Sequence, residues 1–159
     1  MIPGREELED NGFKIGQAHF ARWYEMLVLL IGQLRNCDSR ARRFIERILT
    51  DEDLGFLIKG RAILAFGYLN EQSWKERFEQ VALGDFDEIK LAKDQRRRGD
   101  AYLRTKALQA LAEIGDQETL RRLRSFKGNG RKSWPPEVER LFYVTSEEIN
   151  WRMNAEGTI

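Results

Sequence analysis

Apolar residues recur at every third or fourth position along most of this chain, which matches the 3.6-residue turn of an α-helix. Two such apolar faces follow each other between Leu103 and Phe126, separated by Gly115 and Asp116. Gly115 suits a helix C-terminus, because glycine takes the left-handed conformation there without a Cβ penalty. Asp116 suits an N-cap, because its carboxylate accepts from the free N–H groups of the next helix. The pattern predicts two antiparallel helices joined by a short corner.

This segment resembles the HEAT repeat, in which an Ala- and Leu-rich helix leads through an Ile-Gly-Asp corner into a Leu-rich second helix. The residues that carry the resemblance are Ala107, Leu108, Leu111, Ile114, Gly115, Asp116, Leu120 and Leu123. The resemblance implies an all-α protein, a short right-handed α-solenoid of about four HEAT-like helical hairpins. It also implies that the second helices of the hairpins share one concave surface.

Similar apolar faces divide the rest of the chain into further predicted hairpins. Residues 1–16 are expected to form a polar lead-in, and residues 17–154 a single HEAT-like helical repeat domain. The predicted hairpins span about 17–50, 51–83, 100–127 and 135–154, with an insert at 84–99. The predicted N-caps are Asp38 or Ser39, Asp100 and Thr145, together with a capping box over Thr50–Asp53. Gly84 is predicted to end the second hairpin.

An internal repeat supports this division. The stretch Ala62–Asn70 aligns without gaps on Ala107–Gly115, 45 residues later, and the same spacing relates Phe78 to Leu123. A period near forty residues made of paired helices is typical of HEAT-like arrays. The small residues Ala107 and Ala110 are therefore expected to lie between closely packed helices.

The charge balance narrows the possible partners. The chain has 159 residues, of which 33% are charged, yet 27 basic and 26 acidic side chains leave a formal charge of only +1. This near-neutrality argues against a dedicated polyanion-binding protein. The acidic N-terminus lacks the features of a secretory signal, and the apolar run Met26–Ile31 is too short to span a bilayer. We expect a soluble, cytoplasmic protein, and the single cysteine, Cys37, fits a reducing compartment.

The sequence contains little that suggests catalysis. His19 is the only histidine, so no histidine pair is present for metal binding or proton relay, and Cys37 has no identifiable basic partner. No CxxC, HExxH, GxSxG or phosphate-binding glycine loop occurs. The acidic group Asp51–Asp53 could suggest a cation site, and helix capping together with solvation is the alternative interpretation. We expect no enzymatic activity, no cofactor and no metal site.

Basic residues form rows on two of the predicted second helices. Such rows offer bidentate contacts to carboxylates or phosphates, whereas a solvated face of mixed charge is the simpler interpretation, since Glu76 and Glu79 interrupt the positive run. Trp134, before a proline pair, is a candidate exposed anchor, with packing against its own helix as the alternative. The candidate partner-binding residues are Arg40, Arg43, Arg47, Lys75, Arg121, Arg124 and Trp134.

Three functions are compatible with these features. The first is a non-catalytic protein-binding scaffold or adaptor, which would use the concave face to bind a protein or peptide with acidic groups. The second is a nucleic-acid-binding protein with the architecture of HEAT-like alkylpurine DNA glycosylases, which the charge balance disfavours. The third is a protein like the phycobilin lyases, whose repeats are also HEAT-like, although Cys37 and His19 alone do not support it.

Overall fold

The computed structural model describes Val28, residues 38–128 and residues 134–157. From Asp38 onwards, the described residues form six α-helices and two single 3₁₀ turns, and they include no β-strand. The all-α prediction is therefore confirmed for this part of the chain. The helices are α1 (Ser39–Thr50), α2 (Phe56–Tyr68), α3 (Lys75–Ala82), α4 (Lys93–Ile114), α5 (Gln117–Gly128) and α6 (Pro136–Gly157); the 3₁₀ turns are Gln72–Trp74 and Asp87–Ile89. The predicted lead-in and, apart from the buried Val28, the first helix of the predicted first hairpin lie outside the described residues.

Helices α2, α4 and α6 lie side by side, with α4 in the middle. The approach of α2 to α4 is close because small residues meet there: a Cβ atom placed on Gly67 would lie 2.7 Å from the Cα of Ala110. Ala107 and Ala110 are both fully buried, as predicted. We refer to α2, α4 and α6 as the apolar layer, because the side chains between these helices belong to the main hydrophobic core.

Aromatic rings, by contrast, fill the space between α2 and α3. Phe66 lies 5.8 Å from Trp74 and 6.5 Å from Phe78, measured between ring centroids, and all three rings are buried. Such large side chains keep the two helix axes further apart than small residues would. Helix α3 then packs closely on α4, and α1 packs on α2.

The buried side chain of Lys59, on α2, bonds to two backbone segments that are far apart in the sequence. Its Nζ donates to the carbonyl oxygen of Leu49, at 3.0 Å, and to that of Ile89. These oxygens lie in the last turn of α1 and in the turn Asp87–Ile89, where they would otherwise have no donor inside the protein core. Burial lowers the pKa of Lys59 to about 8, because the charged form loses its hydration.

Several predicted helix boundaries are confirmed. Asp38 is the N-cap of α1, its Oδ1 accepting from the N–H of Arg40 at 2.7 Å. Asp116 caps α5 by accepting from the N–H of Thr119 at 2.9 Å. Gly84, after α3, has φ +91°, the left-handed conformation that glycine takes most readily.

Gly115 ends α4 for a different reason from the one predicted. Its φ is −71°, so the left-handed conformation is not used. A Cβ atom at this position would lie 2.6 Å from the carbonyl oxygen of Leu111 and 2.9 Å from Cδ1 of Ile149. A side chain at this corner would meet the backbone of α4 itself first, and Ile149 of α6 also lies close, so glycine is favoured here.

Two predicted caps and the insert are wrong. Thr50 is the last residue of α1, and its hydroxyl donates back to the carbonyl of Glu46 at 2.8 Å, so Thr50–Asp53 does not cap α2, which begins at Phe56. Helix α4 begins at Lys93, so Asp100 lies within it. Part of the predicted insert is therefore the first two turns of α4, because the stretch from Lys93 to Leu103 contains no proline and its one glycine, Gly99, costs a helix only about 1 kcal/mol.

The predicted last hairpin is one continuous helix, α6. Thr145 was expected to cap a second helix, but it is buried, and its hydroxyl donates to the carbonyl oxygen of Leu108 on α4 at 3.0 Å. A threonine that finds an acceptor on a neighbouring helix has no need to interrupt its own helix. Leu57, although apolar, is 52% exposed near the beginning of α2, whereas Lys59, two residues later, is buried.

Candidate partner-binding face

Polar side chains connect α1 to the chain turn before α3, and connect α3 to α5. We call these three helices the bridged layer. On its α1 side, Arg42 Nε donates to Glu71 Oε2 at 2.5 Å, and Glu46 Oε1 accepts from the indole N–H of Trp74 at 3.3 Å. Glu71 and Trp74 lie at the chain turn that leads into α3, and both are buried. These contacts fix α1 against the beginning of α3.

The contact between α3 and α5 is centred on the carboxylate of Glu79, which is only 4% exposed. Arg122 donates to it from Nε at 2.6 Å and from Nη2 at 2.8 Å, and the hydroxyl of Thr119 donates at 2.7 Å. A buried carboxylate that accepts two parallel bonds from one guanidinium and a third from a hydroxyl has its charge and lone pairs well satisfied. Glu79 therefore holds α5 in place.

A second bridge joins the same two helices near the corner before α5. Lys75 Nζ lies 2.8 Å from Asp116 Oδ2, and Asp116 also accepts from the N–H of Thr119. Although desolvation opposes ionisation, the hydrogen bonds from Lys75 and Thr119 lower the pKa of Asp116 to about 2. The cap of α5 is therefore ionised at neutral pH and paired with α3.

The predicted arginine rows lie on the outward side of this layer. Arg40, Arg43 and Arg47 are exposed on α1, and Arg121 and Arg124 are exposed on α5. Among the described residues, Arg40 pairs with the N-cap Asp38 at 3.1 Å and Arg121 pairs with Glu118, each a near neighbour in the sequence. Pairs this exposed contribute little to stability, so a partner with a better acceptor would displace them readily.

Two of the predicted contact residues have other roles. Lys75 is part of the bridge to Asp116, with its side chain 20% exposed. Trp134 is only 7% exposed, and its ring lies edge-on to Phe142 with centroids 5.1 Å apart. The guanidinium of Arg104 lies 5.6 Å from the centroid of the Trp134 ring. Trp134 is therefore no exposed anchor, and the alternative of packing within the protein describes it better.

The bridging residues Glu71, Glu79, Thr119 and Arg122 are absent from the predicted site. Sequence patterns gave no signal for them, because Glu79 appeared to belong to a solvated face of mixed charge. Its neighbour Phe78 marks the core side of α3, but α5 covers the adjacent side as well. Only the position of α5 shows that Glu79 is enclosed.

A polar groove of about 430 Å³ lies where the C-terminal ends of α2, α4 and α6 meet. Arg152 Nη2 donates across it to the carbonyl oxygen of Ala112 at 3.1 Å and also to that of Gly115. Glu113 and Glu156 stand at its rim. An arginine that satisfies the last carbonyls of a helix is a C-capping arrangement, so this groove has a structural explanation.

Other chemistry is equally sparse among the described residues. They contain no group of three or more His, Cys, Asp or Glu side chains arranged to hold a metal ion. In the same part of the chain, no helix is both long enough and apolar enough to cross a membrane. His19 and Cys37, the residues considered for bilin handling, lie outside the described residues.

The fold and the site together define an all-helical protein with an apolar layer, a bridged layer and exposed arginines on the bridged layer. Comparison of this chain with protein-family models, with curated proteins and with solved structures finds no match.

Proposed function

We propose that this protein is a non-catalytic scaffold or adaptor that binds a protein or peptide with acidic groups on the outward side of α1, α3 and α5. We further propose that its helices form a short HEAT-like α-solenoid, with the bridged layer on its concave side. The second part of the proposal is supported by the packing of α1 on α2, of α3 on α4 and of α5 on α6, with α2, α4 and α6 side by side.

The binding proposal rests on a difference between two groups of arginines, those that pair with buried carboxylates and those that are exposed. Arg42 and Arg122 point towards buried carboxylates and hold helices together. Arg47 and Arg124 are exposed and have no ion pair to another described residue. Arginines that contribute nothing to the internal bridges are available for bidentate contacts with a partner's carboxylates.

The mixed charge of α3 favours a protein partner over nucleic acid. Between the two arginine rows, α3 exposes Glu76 beside Arg77, and Arg77 lies 3.8 Å from Glu88. A polyanion that ran from α1 to α5 would pass over these carboxylates. A folded partner or a peptide can place acidic groups at the rows and neutral groups between them.

The test is a charge reversal at the two arginines without internal partners. Arg47→Glu combined with Arg124→Glu should leave the fold intact, because exposed substitutions of this kind change stability by about 0.5 kcal/mol or less. Partners are captured from native lysate with cross-linking, identified by mass spectrometry and then measured as purified proteins. The proposal expects cross-links on α1 and α5, and an affinity reduced by about tenfold or more in the double variant.

Arg97→Glu, on the exposed side of α4, is the matched control and should bind like the unmodified protein. Equal affinity of the double variant and this control would place the binding surface elsewhere. Binding of duplex DNA with a steep salt dependence that the double variant loses would instead favour the nucleic-acid alternative.

A further inference from the structure

Helix α6 forms one edge of the apolar layer, and its outer side carries large apolar residues in water. Trp151 is 73% exposed and Val144 is 52% exposed. A helix at the edge of a layered helical array usually presents a polar outer face. The outer face of α6 departs from that rule, and it is the kind of surface that another helix covers.

The charges on this face are arranged in a defined order. Glu147 and Glu148, both exposed, lie one turn after Val144 and one turn before Trp151. An apolar residue, an acidic pair and a second apolar residue therefore follow each other over about 11 Å of helix. Tyr143, 55% exposed, enlarges the first apolar group, and Arg140 lies one turn before it.

This order of apolar and acidic residues along α6 indicates which kind of partner fits the face. If a second copy of the protein paired its α6 antiparallel to the first, Trp151 would meet Val144, but the acidic pair would meet its own counterpart. Like charges placed opposite each other oppose such a dimer. A helix with the order apolar, basic, apolar satisfies both the apolar groups and the carboxylates.

We propose that the α6 face, defined by Tyr143, Val144, Glu147, Glu148 and Trp151, binds an amphipathic helix of a partner protein. The partner helix carries two apolar residues about two turns apart, with Lys or Arg between them. It lies beside α6 as α6 lies beside α4, and so extends the apolar layer by one helix. This surface is separate from the arginine rows and binds the opposite charge.

The probe is a fluorescently labelled helical peptide of about 18 residues, with Leu at two positions seven residues apart and Lys one turn inside each. The control peptide has Glu in place of the Lys residues. The unmodified protein should bind the Lys peptide, measured by fluorescence anisotropy, and should bind the Glu peptide about tenfold more weakly or not at all.

Two variants identify the contacts. Trp151→Ser should weaken binding of the Lys peptide by about tenfold or more, because large aromatic anchors carry most of the energy of an interface. Glu147→Lys combined with Glu148→Lys should reverse the preference, so that the Glu peptide binds better. Glu113→Lys, an exposed change on α4, is the matched control and should leave the preference unchanged. All these positions are exposed, and circular dichroism checks the fold.

Three results would overturn the proposal. They are equal binding of the two peptides by the unmodified protein, binding that Trp151→Ser leaves intact, and a concentration-dependent dimer that Trp151→Ser dissociates. The last result would assign the face to a second copy. Arg47→Glu with Arg124→Glu should not affect the Lys peptide, so the outcome is independent of the arginine rows.

Discussion

Gly67 and Ala110 bring α2 and α4 into direct backbone contact: a Cβ on Gly67 would lie 2.7 Å from the Cα of Ala110 and 2.9 Å from its Cβ. No larger side chain fits at either position without moving a helix. Ala110→Leu should therefore destabilise the protein by about 1–3 kcal/mol or more, through overpacking. Urea denaturation measures the change. Ala112→Leu, half-buried on the same helix, should cost about 0.5 kcal/mol or less. Equal stability of the two variants would contradict the close approach of α2 and α4.

The buried carboxylate of Glu79 provides a second test. Glu79→Ala removes the acceptor of Arg122 and Thr119, and should cost about 1–3 kcal/mol, the usual range for a hydrogen bond to a charged group that is lost from the interior. The exposed Glu118→Ala, which also removes a partner of Arg122, should cost clearly less than Glu79→Ala. Chemical denaturation of both variants makes the comparison. Similar losses would mean that Glu79 is not enclosed.

The stability of the protein should rise with pH above neutrality because of Lys59. Its pKa is about 8 in the folded protein and 10.5 as a free side chain. Between these values the unfolded chain binds more protons than the folded one, so stability increases with pH. The difference corresponds to about 3 kcal/mol across this window. A neutral amine still has two hydrogens for the carbonyls of Leu49 and Ile89, so deprotonation preserves both bonds.

The measurement is the free energy of unfolding of the protein and of Lys59→Met between pH 7.5 and 10.5. Other titrating groups cancel in the difference between the two proteins. That difference should grow in favour of the unmodified protein as pH increases. A constant difference would show that Lys59 has an ordinary pKa.

Asp116 should produce the opposite dependence in acid. Its pKa is about 2 in the folded protein, below the ordinary 3.8, so its contribution is present above pH 4 and is lost as pH falls towards 2. Asp116→Asn should remove this part of the acid sensitivity. Because the side chain is 39% exposed, solvent screening keeps the contribution small. Thermal unfolding between pH 2 and 5 compares the two proteins, and identical profiles would contradict the bridge to Lys75.

Local signals in the sequence predicted the features that depend on local physics. Asp38 and Asp116 cap helices because a short acidic side chain can bond to the N–H groups just after it, whatever surrounds it. The burial of Ala107 and Ala110 also follows from a local signal, the apolar periodicity of their own helix. Each of these predictions needs only a few neighbouring residues.

Predictions failed where a distant part of the chain decides the outcome. Thr145 lies in mid-helix because Leu108, on another helix, offers it an acceptor. Lys59 is buried because two carbonyl oxygens, at Leu49 and Ile89, converge on its amine. In the candidate site, too, some features follow from local signals and others depend on distant contacts. The exposure of the arginine rows follows from the apolar stripe of α1, whereas the roles of Lys75 and Trp134 depend on contacts with Asp116 and Phe142.

The two layers should respond differently to mechanical load. Backbone contact such as that at Gly67 resists bending stiffly, because the attraction fades within a fraction of an ångström of separation. The ion pairs that join α1, α3 and α5 act over longer distances and include partners that water reaches, such as Arg42 and Arg122. The apolar layer should therefore resist bending more than the bridged layer does. A bound partner that spreads α1 from α5 would then flex the protein mainly through the bridged layer.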